Sequence, residues 1–204
     1  MPSASPTALV NGAVMTPAGV IDGQALLVDG GTILGLVDRS DVPASAVVED
    51  LAGGLLVPGF IDTQVNGGGG VLFNDDPSVA TIAAIGAAHR SFGTTGFLPT
   101  LISDDLDVVD AAMRATEAAI EAGVPGVLGV HIEGPFLNAQ RKGIHDAAKF
   151  RVLDEAAIEL LSSLKRGKTL VTLAPETTTP AMVARLTRAG VVVAAGHTNA
   201  AYET

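Results

Sequence analysis

From position 60 onward, short runs rich in Val, Leu and Ile alternate with amphipathic segments of helical period. The apolar runs predict strands at 60–65, 94–102, 127–132, 169–173 and 191–195. The periodic segments predict helices at 78–92, 103–122, 154–165 and 179–190, with another beginning at 199. Ser103 is the predicted N-cap of the second helix, and Phe92 is predicted to end the buried face of the first. Apolar strands that alternate with helices are typical of a parallel sheet covered by helices.

Two architectures fit five strand-helix units: an open doubly wound sheet, or the front part of an eight-stranded (β/α) barrel. Length favours the open sheet, because a complete barrel typically needs about 250 residues. The glycine fingerprint that open sheets use to bind dinucleotides is missing, since Leu72 stands where the last glycine after Gly67 would be needed. The residues alone leave both architectures open.

The first 57 residues have a different texture, with short predicted strands separated by turns. These strands are predicted at 8–15, 24–28, 32–37 and 47–50, and Asp29-Gly30-Gly31 is a hairpin-like break. The sequence therefore predicts a small β module over residues 1–57 and a separate α/β domain over residues 58–204.

Composition disfavours several classes of function. The net charge of -10 and the 3% aromatic content disfavour binding to nucleic acids and to anionic membranes. The chain contains no apolar run long enough to span a bilayer, and its first residues lack the basic segment of a signal peptide, so we expect a cytoplasmic protein. Because there is no cysteine, His and carboxylate side chains are the available ligands for a metal.

Glu133 and His197 are the strongest candidates for a functional site. Each directly follows an apolar strand, and in parallel α/β folds the carboxyl ends of the strands face the binding crevice or barrel mouth. Taken singly, each is better explained structurally, the acid as a helix cap and the histidine as a residue that forms a hydrogen bond within a loop. Together, at the ends of alternate strands, they predict a metal site.

Other polar residues follow the same strand ends. Gln64 and Asn66 end the first strand and are expected to bind water or substrate, although Asn66 also suits a turn. His145 lies in the loop after Glu133, beside a basic pair that is otherwise typical of a solvated charge run. Glu176, after the fourth strand, is a weaker candidate beside a role in leading into the next helix.

These residues lie within motifs that resemble those of the N-acetylglucosamine-6-phosphate deacetylases, in the amidohydrolase superfamily. The resemblance is carried, in family order, by Val57-Pro58-Gly59-Phe60-Ile61-Asp62, Gln64-Val65-Asn66-Gly67, His131-Ile132-Glu133-Gly134-Pro135-Phe136, Lys142-Gly143-Ile144-His145, Thr172-Leu173-Ala174-Pro175-Glu176 and Ala195-Gly196-His197-Thr198-Asn199-Ala200. It implies a small β-sandwich module followed by about five units of a (β/α)8 TIM-type barrel. It also implies a cytoplasmic, homodimeric enzyme that hydrolyses the acetamide of N-acetylglucosamine 6-phosphate to glucosamine 6-phosphate and acetate.

The resemblance assigns roles to individual residues. Glu133 and His197 match metal ligands, His145 matches a sugar-contacting residue, and Gln64 and Asn66 match the family variant that binds one divalent metal ion, commonly zinc or iron. In the family a third histidine ligand and the catalytic aspartate come from later barrel strands. The 204 residues contain neither position, so none of them is assigned as the catalytic base, and we expect this polypeptide to lack turnover by itself.

Two other functions compete with this interpretation. One is an amidohydrolase of the same superfamily that acts on a different amide. The other is a non-catalytic binding module in which the acids and histidines are structural.

Overall fold

The structure is a computed structural model that describes residues 5–204. Contacts within it divide the chain into two compact units, Met1–Pro58 and Gly59–Thr204. No helix among the described residues is both long enough and apolar enough to cross a membrane.

The first unit consists of short strands. Their bounds are β1 Thr7–Val10, β2 Ala13–Thr16, β3 Gly19–Ile21, β4 Gln24–Asp29, β5 Thr32–Asp38, β6 Val47–Asp50 and β7 Leu55–Leu56. They form a four-stranded sheet in the order β5-β4-β1-β6 and a three-stranded sheet in the order β3-β2-β7. The hairpin predicted around Gly30 and Gly31 joins β4 to β5, with both glycines at positive φ.

The single strand predicted at 8–15 is wrong, because the chain turns at Asn11 and Gly12 between β1 and β2. Asn11 adopts a φ of 55°, a left-handed conformation that asparagine tolerates better than most residues. A Cβ atom at Gly12 would lie 2.6 Å from the carbonyl oxygen of Gly54, so only glycine fits there.

The second unit repeats the strand-loop-helix pattern. Its strands are β8 Phe60–Val65, β9 Gly67–Gly68, β10 Val71–Leu72, β11 Thr94–Ile102, β12 Gly129–Glu133, β13 Lys168–Leu173 and β14 Val192–Ala195. Its helices are α1 Val79–Arg90, α2 Leu106–Glu121, α3 Glu155–Leu161 and α4 Pro180–Arg188. Short 3-10 helices lie at Arg39–Asp41 in the first unit and at Ala139–Arg141, Ala147–Lys149 and Pro175–Thr177 in the second.

Five of these strands form one parallel sheet in the order β14-β13-β12-β11-β8. Its largest buried side chains pack with those of the helices in a single apolar cluster that includes Phe73, Phe97, Ile132 and Leu186. Parallel order places the carboxyl ends of all five strands at one edge of the sheet. Glu133 ends β12 at this edge, and His197 follows β14 there.

Local sequence explains where most helices begin. Ser78, Asp154 and Thr179 each accept a hydrogen bond from the backbone N–H three residues ahead, the usual N-cap contact. Ser103 does not cap α2, which starts only at Leu106. Phe92 lies beyond the end of α1 and is 81% exposed, so its predicted burial is wrong.

The helix predicted from position 199 is also absent: residues 199–204 contain no helix, and their one regular feature is a turn at Tyr202 and Glu203.

Candidate metal centre

Glu133 is held at the end of β12 in a strand whose five residues are all buried. The residue is 8% exposed, and its carboxylate accepts a hydrogen bond of 2.9 Å from Nε2 of Gln64, at the end of β8. Gly134 then turns the chain at a φ of 86°, where a Cβ atom would lie 2.2 Å from Oγ of Ser103. The Glu-Gly-Pro sequence therefore follows from a turn that has no room for a side chain.

His197 reaches Glu133 from β14, two strands away in the sheet. Its Nε2 lies 3.1 Å from Oε1 of Glu133, and its Nδ1 lies 2.8 Å from the carbonyl oxygen of Arg141. A carbonyl oxygen only accepts hydrogen bonds, so in a neutral ring Nδ1 carries the proton and Nε2 carries a lone pair. Two atoms with lone pairs then face each other at 3.1 Å, an arrangement that a bound cation or a shared proton stabilises.

His145 completes a cluster of three potential ligands. The side chain is 1% exposed, and its Nε2 lies 3.9 Å from Oε2 of Glu133. Its ring meets that of His197 edge to face, with the centroids 4.6 Å apart. One ligand atom from each of Glu133, His145 and His197 lies within 4.8 Å of the other two. Burial, and then the nearby His197, lower the pKa of His145 against an opposing effect of Glu133, which favours the neutral ring that a metal or hydrogen-bond acceptor requires.

These dimensions fit a small divalent ion. Zinc binds histidine nitrogen and carboxylate oxygen at about 2.0 to 2.2 Å, so tetrahedral ligand atoms stand about 3.3 Å apart. The Glu133 to His197 separation of 3.1 Å agrees with this value. Nε2 of His145 is farther away. It can become a ligand after a small shift, or it can form a hydrogen bond with a substrate that lies beside the ion.

The two amide residues predicted at the end of the first strand, Gln64 and Asn66, have different surroundings. Gln64 is bonded to Glu133 and so orients the carboxylate directly. Asn66 is partly buried, and its Nδ2 has no hydrogen-bond partner among residues 5–204. A buried amide without a partner is uncommon in folded proteins and indicates a missing acceptor. The expectation that Asn66 binds substrate or water remains a prediction.

His131 serves the core of the sheet. It is 3% exposed and lies between two hydroxyl groups on the neighbouring strands, 3.4 Å from Oγ1 of Thr100 and 2.8 Å from Oγ1 of Thr172. Burial lowers the pKa of His131, and the charge of Glu133 opposes this shift. Both ring nitrogens therefore have partners inside the protein.

Two further residues support the cluster: Ser103, which sequence reasoning missed as a site residue, and Glu176, which it gave as a weaker candidate. Ser103 contacts His145 through its side chain, with Oγ 2.8 Å from Nδ1, and through its backbone N–H at 3.3 Å. Glu176 receives hydrogen bonds from Thr198 and Asn199, which directly follow His197. For Ser103, a helix cap was the simpler local explanation. For Glu176, the available indication was its position at the end of a strand in the same sheet.

Known proteins align with nearly the whole length of the chain. No protein-family model matches it. The chain is 42% identical over 195 residues to the N-acetylgalactosamine-6-phosphate deacetylase of Shewanella sp. (strain ANA-3), covering 94% of the chain and 49% of that relative. It is 32% identical over 196 residues to the N-acetylglucosamine-6-phosphate deacetylase of Haemophilus influenzae, covering 96% of the chain and 51% of the relative. The chain thus spans about half the length of these relatives.

Solved structures give the same result for the fold. The N-acetylglucosamine-6-phosphate deacetylase from Pasteurella multocida matches with a TM-score of 0.92 at 34% identity, over 97% of the chain and 52% of that structure. A mutant of the Mycobacterium smegmatis deacetylase, in complex with N-acetyl-D-glucosamine-6-phosphate, matches with a TM-score of 0.80 at 28% identity, over 98% of the chain and 51% of that structure. These matches confirm the predicted fold class, a small β module followed by five strands of a partial β/α barrel.

Proposed function

Because the chain belongs to the amidohydrolase family of amino-sugar-6-phosphate deacetylases, we propose that it forms the part of such an enzyme that binds the catalytic metal. The proposed reaction is hydrolysis of the acetamide of N-acetylglucosamine 6-phosphate to glucosamine 6-phosphate and acetate. The observation that carries the proposal is the approach of His197 Nε2 to Glu133 Oε1, at 3.1 Å, at the carboxyl edge of a parallel sheet.

We propose Glu133 and His197 as ligands of one divalent ion, with zinc favoured and iron as the alternative. When bound, such an ion polarises the amide carbonyl and acidifies a water molecule. Glu133 supplies the negative charge that attracts the cation, and Gln64 holds the orientation of that carboxylate through its 2.9 Å hydrogen bond. The Arg141 carbonyl fixes the ring of His197 with Nε2 toward Glu133.

His145 and Asn66 are the proposed substrate contacts. Nδ1 of His145 accepts a hydrogen bond from the backbone N–H of Ser103, so in the neutral ring Nε2 carries the proton. That N–H faces the side of Glu133 and can donate to a carbonyl or hydroxyl oxygen of an amino sugar. The unpaired Nδ2 of Asn66 is a second donor for the same kind of group.

A second substrate deserves equal testing because the identity to the Shewanella galactosamine-type enzyme, 42%, exceeds the 32% to the glucosamine-type enzyme of Haemophilus influenzae. The two amino sugars differ at one ring carbon. Both 6-phosphates belong in any turnover assay, together with an unrelated cyclic amide to test the alternative amidohydrolase. A full-length relative provides the reference rate, against which the expected lack of turnover by the 204-residue polypeptide is measured.

Metal binding is the direct test of the proposed centre. Zinc content and affinity are measured for the wild-type chain and for Glu133→Gln and His197→Asn, with Glu159→Gln and His89→Asn as matched controls. Glu159 is exposed on α3, and His89 bonds the carbonyl oxygen of Gly67. We expect both site variants to lose stoichiometric zinc and both controls to keep it. Equal zinc binding in all five proteins would favour the non-catalytic module instead.

A further inference from the structure

Glu176 connects the two loops that carry the potential metal ligands His145 and His197. It follows β13, and its carboxylate accepts hydrogen bonds from Nδ2 of Asn138 at 2.7 Å, from the backbone N–H of Asn199 at 2.8 Å and from the hydroxyl of Thr198. Asn138 belongs to the loop after β12, whereas Thr198 and Asn199 belong to the loop after β14. One side chain therefore bridges the loop that contains His145 and the loop that contains His197.

The histidine turn, residues 197–199, has a backbone conformation that requires such support. His197 adopts a φ of 50°, in the left-handed region that residues with a side chain seldom occupy. Such conformations persist where surrounding contacts determine them, and they are common at functional sites. Here the carbonyl oxygen of His197 accepts a 3.0 Å hydrogen bond from the N–H of Asn138, the residue whose side chain donates to Glu176.

The ring of His197 depends on the same arrangement. Its Nδ1 bonds the carbonyl oxygen of Arg141, three residues after Asn138 in the same loop. If the histidine turn moved away from this loop, both the 2.8 Å bond to Arg141 and the 3.1 Å approach to Glu133 would lengthen. The position of the ligand nitrogen is thus set by the contact between two loops, and Glu176 is bonded to both.

We propose that Glu176 is a positioning residue for the metal centre, which holds the histidine turn against the Asn138 loop so that His197 presents Nε2 toward Glu133. The metal part of this proposal rests on the proposed function. The loop contact does not.

The charge state of Glu176 agrees with this role. Partial removal from water raises its pKa, but the hydrogen bonds from Thr198, Asn138 and Asn199 outweigh this effect and lower the pKa from 4.5 to about 2. The carboxylate is therefore ionised at neutral pH and accepts charge-assisted hydrogen bonds, which are stronger than neutral ones. Glu176 is outside the cluster of ligand atoms formed by Glu133, His145 and His197, so its proposed effect on a bound ion is indirect, through the loops it joins.

The experiment compares the wild-type chain with Glu176→Ala and Glu176→Gln, and uses Glu159→Gln as the control for a lost exposed carboxylate. Hydrogen exchange at the amides of Asn138 and Asn199 is measured without metal, and zinc affinity is measured by competition with a chelator. Loss of partners that orient a metal ligand weakens binding by about 10- to 100-fold. We expect Glu176→Ala to weaken zinc binding within this range and to speed both amide exchanges by about tenfold or more.

Glu176→Gln keeps one acceptor oxygen and should lie between the wild type and Glu176→Ala. The control should match the wild type. A readout of zinc-induced thermal stabilisation separates positioning from general stability, because a ligand stabilises according to its affinity for the folded state. A residue that only stabilises the fold would lower the melting temperature equally with and without zinc, whereas a positioning residue reduces the rise that zinc produces.

The outcomes distinguish the two proposals. If the wild type binds no zinc but Glu176→Ala still loses amide protection, the metal function fails and the loop contact stands. If Glu176→Ala keeps wild-type zinc affinity and wild-type exchange at Asn138 and Asn199, the positioning role is overturned. Should Glu176→Ala fail to fold, Thr198→Val supports the same comparison. It removes the hydroxyl that donates to Glu176 and accepts from the backbone N–H of Ala200, and we expect a smaller loss of zinc affinity, below about tenfold.

Discussion

Replacing Ser103 with alanine tests how His145 is oriented. The Oγ atom of Ser103 lies 2.8 Å from Nδ1 of His145, and the backbone N–H of the same residue lies 3.3 Å from that nitrogen. A backbone N–H can only donate, so Nδ1 must be the acceptor in the neutral ring. We therefore expect the wild-type protein to hold His145 with its proton on Nε2.

The size of the effect follows from what Ser103→Ala removes. A buried hydrogen bond contributes about 0.5 to 1.5 kcal/mol net, and the backbone N–H remains to satisfy Nδ1. We expect the free energy of unfolding to fall by about 1 kcal/mol, which lowers the melting temperature by about 2 to 4 °C in a chain of this size. The hydroxyl can donate to Nδ1 or accept from it, whereas the backbone N–H that remains can only donate, so we expect Ser103→Ala to keep the proton on Nε2 while the ring signals shift with the loss of the neighbouring hydroxyl.

Urea unfolding gives the stability change, and nitrogen-15 NMR of the histidine ring gives the tautomer. Thr116→Val is the matched control, because it also removes a buried hydroxyl, one that donates to the carbonyl oxygen of Ala112 within α2 and away from His145. We expect similar stability losses in both variants but altered His145 ring signals only in Ser103→Ala. Wild-type spectra showing the proton on Nδ1, or ring signals that Ser103→Ala leaves unchanged, would refute the argument.

Three further predictions concern single residues. If His145 contacts substrate rather than the ion, His145→Asn should weaken zinc binding by less than about tenfold, and a loss equal to that of His197→Asn would make it a third ligand. Because the pKa of Glu176 is lowered from 4.5 to about 2, its contribution to stability is complete above pH 4.5 and is lost as the pH falls through about 2. The amide NMR signal of Asn199 should then show no titration near pH 4.5, and a midpoint there would contradict the lowered pKa. Gly129→Ala should lower the free energy of unfolding, measured in urea, by more than about 3 kcal/mol. The new Cβ would lie 1.8 Å from the carbonyl oxygen of Lys168, at a φ of 152°. A loss below about 1 kcal/mol would show that the two strands separate easily at this point.

The strand-helix alternation was predictable because its determinants are local. Apolar runs the length of a strand, the hydroxyl caps before α1 and α4, and glycines at helix ends each act within a few residues. The convergence of Glu133 and His197 was predictable for a related reason. Parallel pairing turns two local observations, each a polar residue at the end of an apolar strand, into neighbours at one edge.

The supporting contacts of the site could not be predicted in the same way. Ser103 lies 42 positions from His145, and its hydroxyl had a competing local explanation as a helix cap. The helix starts later because Asp105 occupies the N-cap position, although its side chain makes no capping bond. The helix expected from position 199 does not form for a comparable reason. The backbone N–H of Asn199 donates to Glu176, after β13, and its side chain donates to Gln140, after β12. In both cases the side chain's observed partners lie far away along the chain, His145 for Ser103 and Gln140 for Asn199.

The proposed metal site can be tested apart from turnover, because the contacts described around Glu133, His145 and His197 join residues within 59–204. Glu133 is oriented by Gln64, His197 by the Arg141 carbonyl and the turn that Glu176 holds. None of these bonds involves a catalytic base. A chain with this geometry should therefore bind a divalent ion whether or not it hydrolyses an amide, and zinc affinity rather than activity measures whether the site has formed. A wild-type chain that folds to the described sheet yet binds zinc no better than Glu133→Gln would show that these contacts do not suffice to form the centre.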